Sequence, residues 1–69
     1  MKAEIEVETW AGERYRRPFR SARTALAVAT MTGRCVVTLG RRRLLWDGHA
    51  FREGDRRWRL DELVKGGSR

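Results

Sequence analysis

Residues 3–33 read AEIEVETWAGERYRRPFRSARTALAVATMTG, and this stretch decides the fold. Ala3, Ile5, Val7 and Thr9 alternate with Glu4, Glu6, Glu8 and Trp10. A period of two marks a half-buried strand. Ala11-Gly12 offers a tight turn, and Glu13 to Arg17 returns as a second strand. Across that hairpin Glu6 and Glu8 fall near Arg14, Arg16 or Arg17, which relieves the repulsion among the carboxylates. Pro18 stops the second strand or confines it to a sheet edge. Ser21 is a good N-cap, Ala22 to Thr32 a short helix, and Gly33 stands where a left-handed C-cap belongs. Ala22, Ala25, Leu26 and Ala29 share one helical face. Their small side chains let the helix lie close on a sheet.

Working outward, Arg34 to Leu39 reads as a strand with Cys35, Val37 and Leu39 facing the core. Gly40 is a turn, and Arg42 to Trp46 is the next strand. Asp47-Gly48 signals a two-residue hairpin from which His49 to Arg52 returns. Glu53-Gly54-Asp55 turns again, and Arg56 to Leu60 forms a last strand with Trp58 and Leu60 on one side. Asp61 to Val64 has room for a single helical turn. The sequence thus predicts an α+β domain over residues 1–64, with residues 65–69 a frayed, flexible tail. The expected architecture is one antiparallel sheet of four to five short strands, in ββαβββ order, with a single α-helix packed on one face.

Sixty-nine residues allow one domain. One Cys excludes an intrachain disulfide framework. No apolar run approaches the roughly 18 residues of a membrane span. The N-terminal residues lack the apolar core of a signal peptide, so a cytoplasmic location is expected. The core is small, and dimerisation is one way to gain burial, so a monomer or a homodimer is expected.

The net charge is +7, from 16 basic and 9 acidic residues, and 14 of the bases are Arg. The charge is segregated. Residues 14–43 hold Arg14, Arg16, Arg17, Arg20, Arg23, Arg34, Arg41, Arg42 and Arg43 and no acid. Arg forks pair with phosphate and carboxylate alike, so this set is the candidate partner-binding face. A high-GC genome also favours Arg over Lys, and some of these side chains answer the glutamates of the first strand. Codon bias does not account for the absence of acids. Trp10, Arg57 and Arg59 are secondary candidates, Trp10 because it shares the glutamate side of its strand.

Catalysis finds no support in the sequence. Cys35 and His49 are single copies on different strands, with no third group to orient them. Cys35 alternates with Val37 and Leu39 and reads as a buried, inert thiol. One Cys and one His do not make a metal site, and no Gly-rich phosphate loop is present. The expectation is a non-enzymatic protein with no cofactor. Trp46 and Trp58 alternate with Leu44 and Leu60 and read as packing residues. Neither an aromatic RNA-recognition motif nor a GXXG loop occurs, and one good helix does not make a helix-turn-helix.

The N-terminal hairpin is followed by Ser21-x-x-x-Ala25-x-x-x-Ala29, then Gly33-x-x-Val36-x-x-Leu39, then the Gly40 turn and short strands ending near Trp58. From about residue 3 to 62 this pattern resembles small phage-encoded anti-CRISPR proteins that act on type I (Cascade) complexes. It is most similar to a family of about this length in the I-F set, and departs from it in using Arg where Lys and Gln are expected. The resemblance implies an inhibitor that lodges on the backbone subunits of the complex and obstructs guide–target pairing, inside an infected bacterial host. DNA mimicry demands an acidic surface, so a basic chain must instead meet carboxylates on a subunit, or nucleic acid held by it. The alternative is a direct, largely sequence-independent DNA- or RNA-binding accessory protein of phage or bacterial origin. A structural phage component whose basic face meets packaged DNA is a third reading.

Overall fold

In chain order the elements are β1 (Ala3–Glu8), β2 (Arg14–Phe19), α1 (Ala22–Thr32), β3 (Cys35–Leu39), β4 (Arg42–Trp46), β5 (Phe51–Glu53), β6 (Arg56–Trp58) and α2 (Leu60–Gly67). The computed structural model describes residues 2–9 and 11–67, with side chains as far as Val64. All six strands join one sheet, ordered β2-β1-β3-β4-β5-β6, and every neighbouring pair is antiparallel. The α+β class is as the sequence predicts, but the sheet has six strands rather than four or five, and a second helix follows it. The order is ββαββββα rather than ββαβββ. The last two strands are three residues each: β5 starts two residues later than the His49–Arg52 segment read from the sequence, and β6 stops two residues short of Leu60. Gly40 and Gly54 open two-residue loops with φ of 63° and 58°, a positive value that suits Gly at the first position of a type II′ turn.

The Asp47-Gly48 signal gives a longer loop than the two residues expected. β4 ends at Trp46 and β5 starts at Phe51. The Asp47 carboxylate accepts the backbone N–H groups of His49 and Ala50 at 2.8 and 2.9 Å. That side-chain turn holds four residues where the backbone alone would have turned in two.

Alternation sorts the sheet into two faces. Ala3, Ile5, Cys35, Val37, Leu39, Leu44 and Phe51 point to one side and are buried with Ala25, Leu26 and Ala29 of α1 and Leu63 of α2. Val37, Leu44 and Phe51 are fully buried. Burying each such side chain contributes roughly 1.5–3 kcal/mol, so these three anchor the domain. Trp46 packs on Phe51 with ring centroids 4.7 Å apart, and Trp58 lies partly buried against the same cluster. Both tryptophans are therefore packing residues, as their alternation suggests.

The helix ends follow from local chemistry. Ser21 Oγ accepts the Thr24 N–H at 3.2 Å, the predicted N-cap. Gly33 ends α1 with φ 100° and ψ −167°, so it is extended on the glycine side of the map rather than left-handed helical. α2 is longer than the single turn expected, and it takes in residues 65–67, which the sequence assigned to a tail. Glu62 reaches back to accept the Arg59 N–H at 2.9 Å, half of a capping box, and Asp61 and Glu62 suit the positive end of the helix. Leu60, Leu63 and Val64 form its apolar stripe, so Leu60 turns into the helix instead of extending β6.

Candidate functional site

The second face of the sheet carries no helix. Registered pairs place Arg16, Glu6, Val36, Leu45, Arg52 and Arg57 in one row across all six strands. A second row holds Pro18, Glu4, Thr38 and Arg43, and Arg14 pairs with Glu8 in a third. None of these side chains is buried. Arg34, just before β3, closes one side of a depression of about 600 Å³ floored by Val36 and Leu45 and bordered by Glu6, Glu8, Arg14 and Arg43.

Glu6 stands between two cations. Arg16 Nε lies 3.6 Å and Arg43 Nη2 3.8 Å from its two carboxylate oxygens. Both arginine side chains are more than two-thirds exposed. Pairs this long and this open contribute about 1 kcal/mol or less. Their guanidinium groups can therefore swing to a partner's carboxylates at little cost. Further along, Arg52 Nε pairs with Asp47 at 2.9 Å. The two backbone bonds from Ala50 and His49, with Arg52 and Arg57 nearby, hold the Asp47 carboxyl down at about 2.

The nine arginines of the acid-free stretch do not form one face. The structure brings together Arg14, Arg16, Arg34 and Arg43 around the depression. Arg17 and Arg42 point to the opposite side of the sheet. Arg17 lies over the Phe19 ring at 5.4 Å. Arg42 is bound internally: its Nε and Nη2 both donate to the Glu53 carboxylate at 2.7 Å. Arg42 and Arg56 flank the Trp58 ring at 5.9 and 5.1 Å, and Trp58 Nε1 donates to Glu53 at 3.2 Å. This network holds Glu53 below the usual carboxylate range, Arg42 foremost. Arg23 is exposed on α1, and Arg20 and Arg41 sit exposed in connections. Of the secondary candidates, Arg57 joins the open face, Arg59 is exposed at the start of α2, and Trp10 lies outside the described residues.

Arg52 belongs to the open face and is missing from the sequence-derived set. Its strand is legible as the return from the Asp47-Gly48 turn, but Arg52 lies outside the acid-free stretch 14–43, and only the register sets it beside Leu45 on the open face. Cys35 is buried, its Sγ 3.8 Å from the Ala29 carbonyl, and burial pushes its thiol pKa up. His49 is exposed in the β4–β5 loop. Among the described residues no three His, Cys, Asp or Glu side chains gather as metal ligands, and no helix is long and apolar enough to cross a membrane.

Comparison with protein-family models, with curated proteins and with solved structures returned no match. The geometry of the open face therefore carries the functional argument.

Proposed function

We propose that this chain is a non-enzymatic binding protein whose open sheet face docks on a protein surface of mixed charge. In its specific form it is an anti-CRISPR-type inhibitor that seats on a protein subunit of a type I (Cascade) complex and blocks target DNA binding. The observation that carries the protein-partner reading is the column Glu4, Glu6 and Glu8, set among Arg14, Arg16 and Arg43 beside apolar Val36 and Leu45. A phosphate backbone crossing this face would meet three carboxylates. A protein with its own carboxylates and cations meets complementary charge in both signs, and an apolar centre inside a polar rim is the usual composition of such an interface. The sequence resemblance supports the choice of complex.

Direct nucleic-acid binding is the second reading, and the net charge of +7 favours it. The deciding experiment is capture of a host lysate on the immobilised protein, with and without nuclease. Retention of a multi-subunit complex after nuclease supports the inhibitor. Loss of all retained material with nuclease, with affinity falling steeply in salt, establishes the nucleic-acid binder.

A further inference from the structure

The β1–β2 ladder fixes which backbone groups of β2 face outward. The Thr9 N–H donates to the Glu13 carbonyl at 2.8 Å and the Glu13 N–H returns to Thr9 Oγ1 at 3.2 Å, so Thr9 and Glu13 stand where a hydrogen-bonded pair of the ladder belongs. Along an antiparallel ladder such pairs alternate with non-bonded ones. In this register Tyr15 opposite Val7, and Arg17 opposite Ile5, bond inward to β1. Arg14, Arg16 and Pro18 then turn their backbone groups away from the sheet, and β2 is its outermost strand. Pro18 has no N–H, so its place on the outward side costs no ladder bond. Among the described residues, the outward backbone donors and acceptors of Arg14 and Arg16 have no partner.

We propose that the outer edge of β2 is a strand-addition site for an extended acidic–apolar–acidic segment of a partner protein. An added strand lies with two residues directly opposite Arg14 and Arg16, pointing to the open face, and with the residue between them beside Tyr15 on the helix side. Carboxylates at the first two positions answer the arginines. Among the described residues Arg14 has no carboxylate within 4 Å, so its charge is available. An apolar residue at the middle position lies at the rim of a groove of about 280 Å³ lined by Val7, Tyr15, Phe19, Val28 and Thr32, with Arg17 along its side. Tyr15 is 58% exposed there.

The molecule already contains the fitting pattern on the inner side of β2, where Glu6-Val7-Glu8 lies against Arg16-Tyr15-Arg14. A second copy of β2 does not fit, because a two-fold pair of these edges sets Arg against Arg. The same charges that guard the edge against self-pairing select an acidic strand. This edge adjoins the open face and shares Arg14 and Arg16 with it, but it is tested with a peptide alone and needs no nucleoprotein complex.

The probe is a synthetic fluorescein-labelled peptide, Ala-Glu-Ile-Glu-Val-Glu-Thr, titrated with the intact protein and read by anisotropy. Saturable binding is expected, weakened at least about tenfold by N-methylation of the backbone nitrogens of its last two Glu residues, which face Arg16 and Arg14, by Lys at those two positions, or by scrambling. Amide exchange at Arg14 and Arg16 is expected to slow at least about tenfold in the complex. The Arg14→Glu, Arg16→Glu double variant, once its circular dichroism matches that of the parent, is expected to prefer the Lys peptide. Equal binding of the scrambled or N-methylated peptide overturns strand addition in favour of charge adhesion. Unchanged Arg14 and Arg16 exchange, or no saturation up to about 1 mM peptide, overturns it outright. A dimer of the free protein with those two amides already protected overturns it by giving the edge to a second copy.

Discussion

Arg42 grips Glu53 with two hydrogen bonds of 2.7 Å, tying the start of β4 to the end of β5 eleven residues later. The pair is the only bidentate one among the described residues, and it leans on Trp58. Its partial exposure limits its worth. Arg42→Ala is expected to destabilise the domain by about 1 kcal/mol, the upper end for an exposed pair. That corresponds to a fall of about 4–8 °C in Tm for a domain of this size. Glu53→Gln should give a similar or smaller loss. Calorimetry of both variants and the double variant yields the coupling, and additive losses would mean that the pair does no joint work.

Asp47 makes stability depend on pH in the acid range. Its folded pKa of about 2 lies below the ordinary 3.8. The contribution is therefore fully present above 3.8 and is lost as the pH falls through about 2. Asp47→Ala should lower the urea midpoint at pH 7, and the gap to the parent should shrink between pH 4 and 2. Asp47→Asn keeps an oxygen for the His49 and Ala50 N–H groups and loses only the charge facing Arg52. It should sit between the two, and an Asn variant as weak as Ala would assign the effect to charge alone.

Phe51 is fully buried beside Trp46 although its strand is only three residues long. Phe51→Ala is expected to cost about 3–5 kcal/mol. A domain of this length has a total stability of roughly 3–10 kcal/mol. The variant should therefore be largely unfolded near 37 °C by circular dichroism, whereas Phe51→Leu should stay folded.

Leu45 lies half-buried on the floor of the open-face depression, outside the main core. Leu45→Glu is expected to leave the fold intact and to weaken partner capture at least about tenfold, as a change at an interface centre does. Arg43→Ala should weaken capture less. Arg23→Ala, on α1 away from this face, should leave it unchanged. Loss of capture in the Arg23 variant would move the interface to the helical side.

Cys35 supplies a check on the core. Its thiol should resist an alkylating reagent at pH 8 in the native protein and react within minutes in denaturant, because burial withholds both access and the thiolate. Fast native labelling would mean that the sheet opens between α1 and β3.

What the sequence by itself determined is local. The alternation of residues 3–9, the Ser21 cap, the Ala25, Leu26 and Ala29 stripe and the Cys35, Val37, Leu39 set each depend on neighbours within a turn or two, and all appear as read. Pro18 was legible as an edge residue for the same reason. What only the tertiary structure decided is which charges share a face. Arg41, Arg42 and Arg43 are consecutive, yet the first lies in a turn, the second binds Glu53 on the helix side and the third faces Glu6 on the open side. The cause is the period of two in a strand, which sends neighbours to opposite faces, together with cross-strand register, which joins residues far apart in sequence. Arg52, which lies outside the acid-free stretch, reached the open face in that way, through its register with Leu45. The second helix is also a tertiary outcome, because Leu63 finds a buried place only once α1 and the sheet have formed the core that receives it.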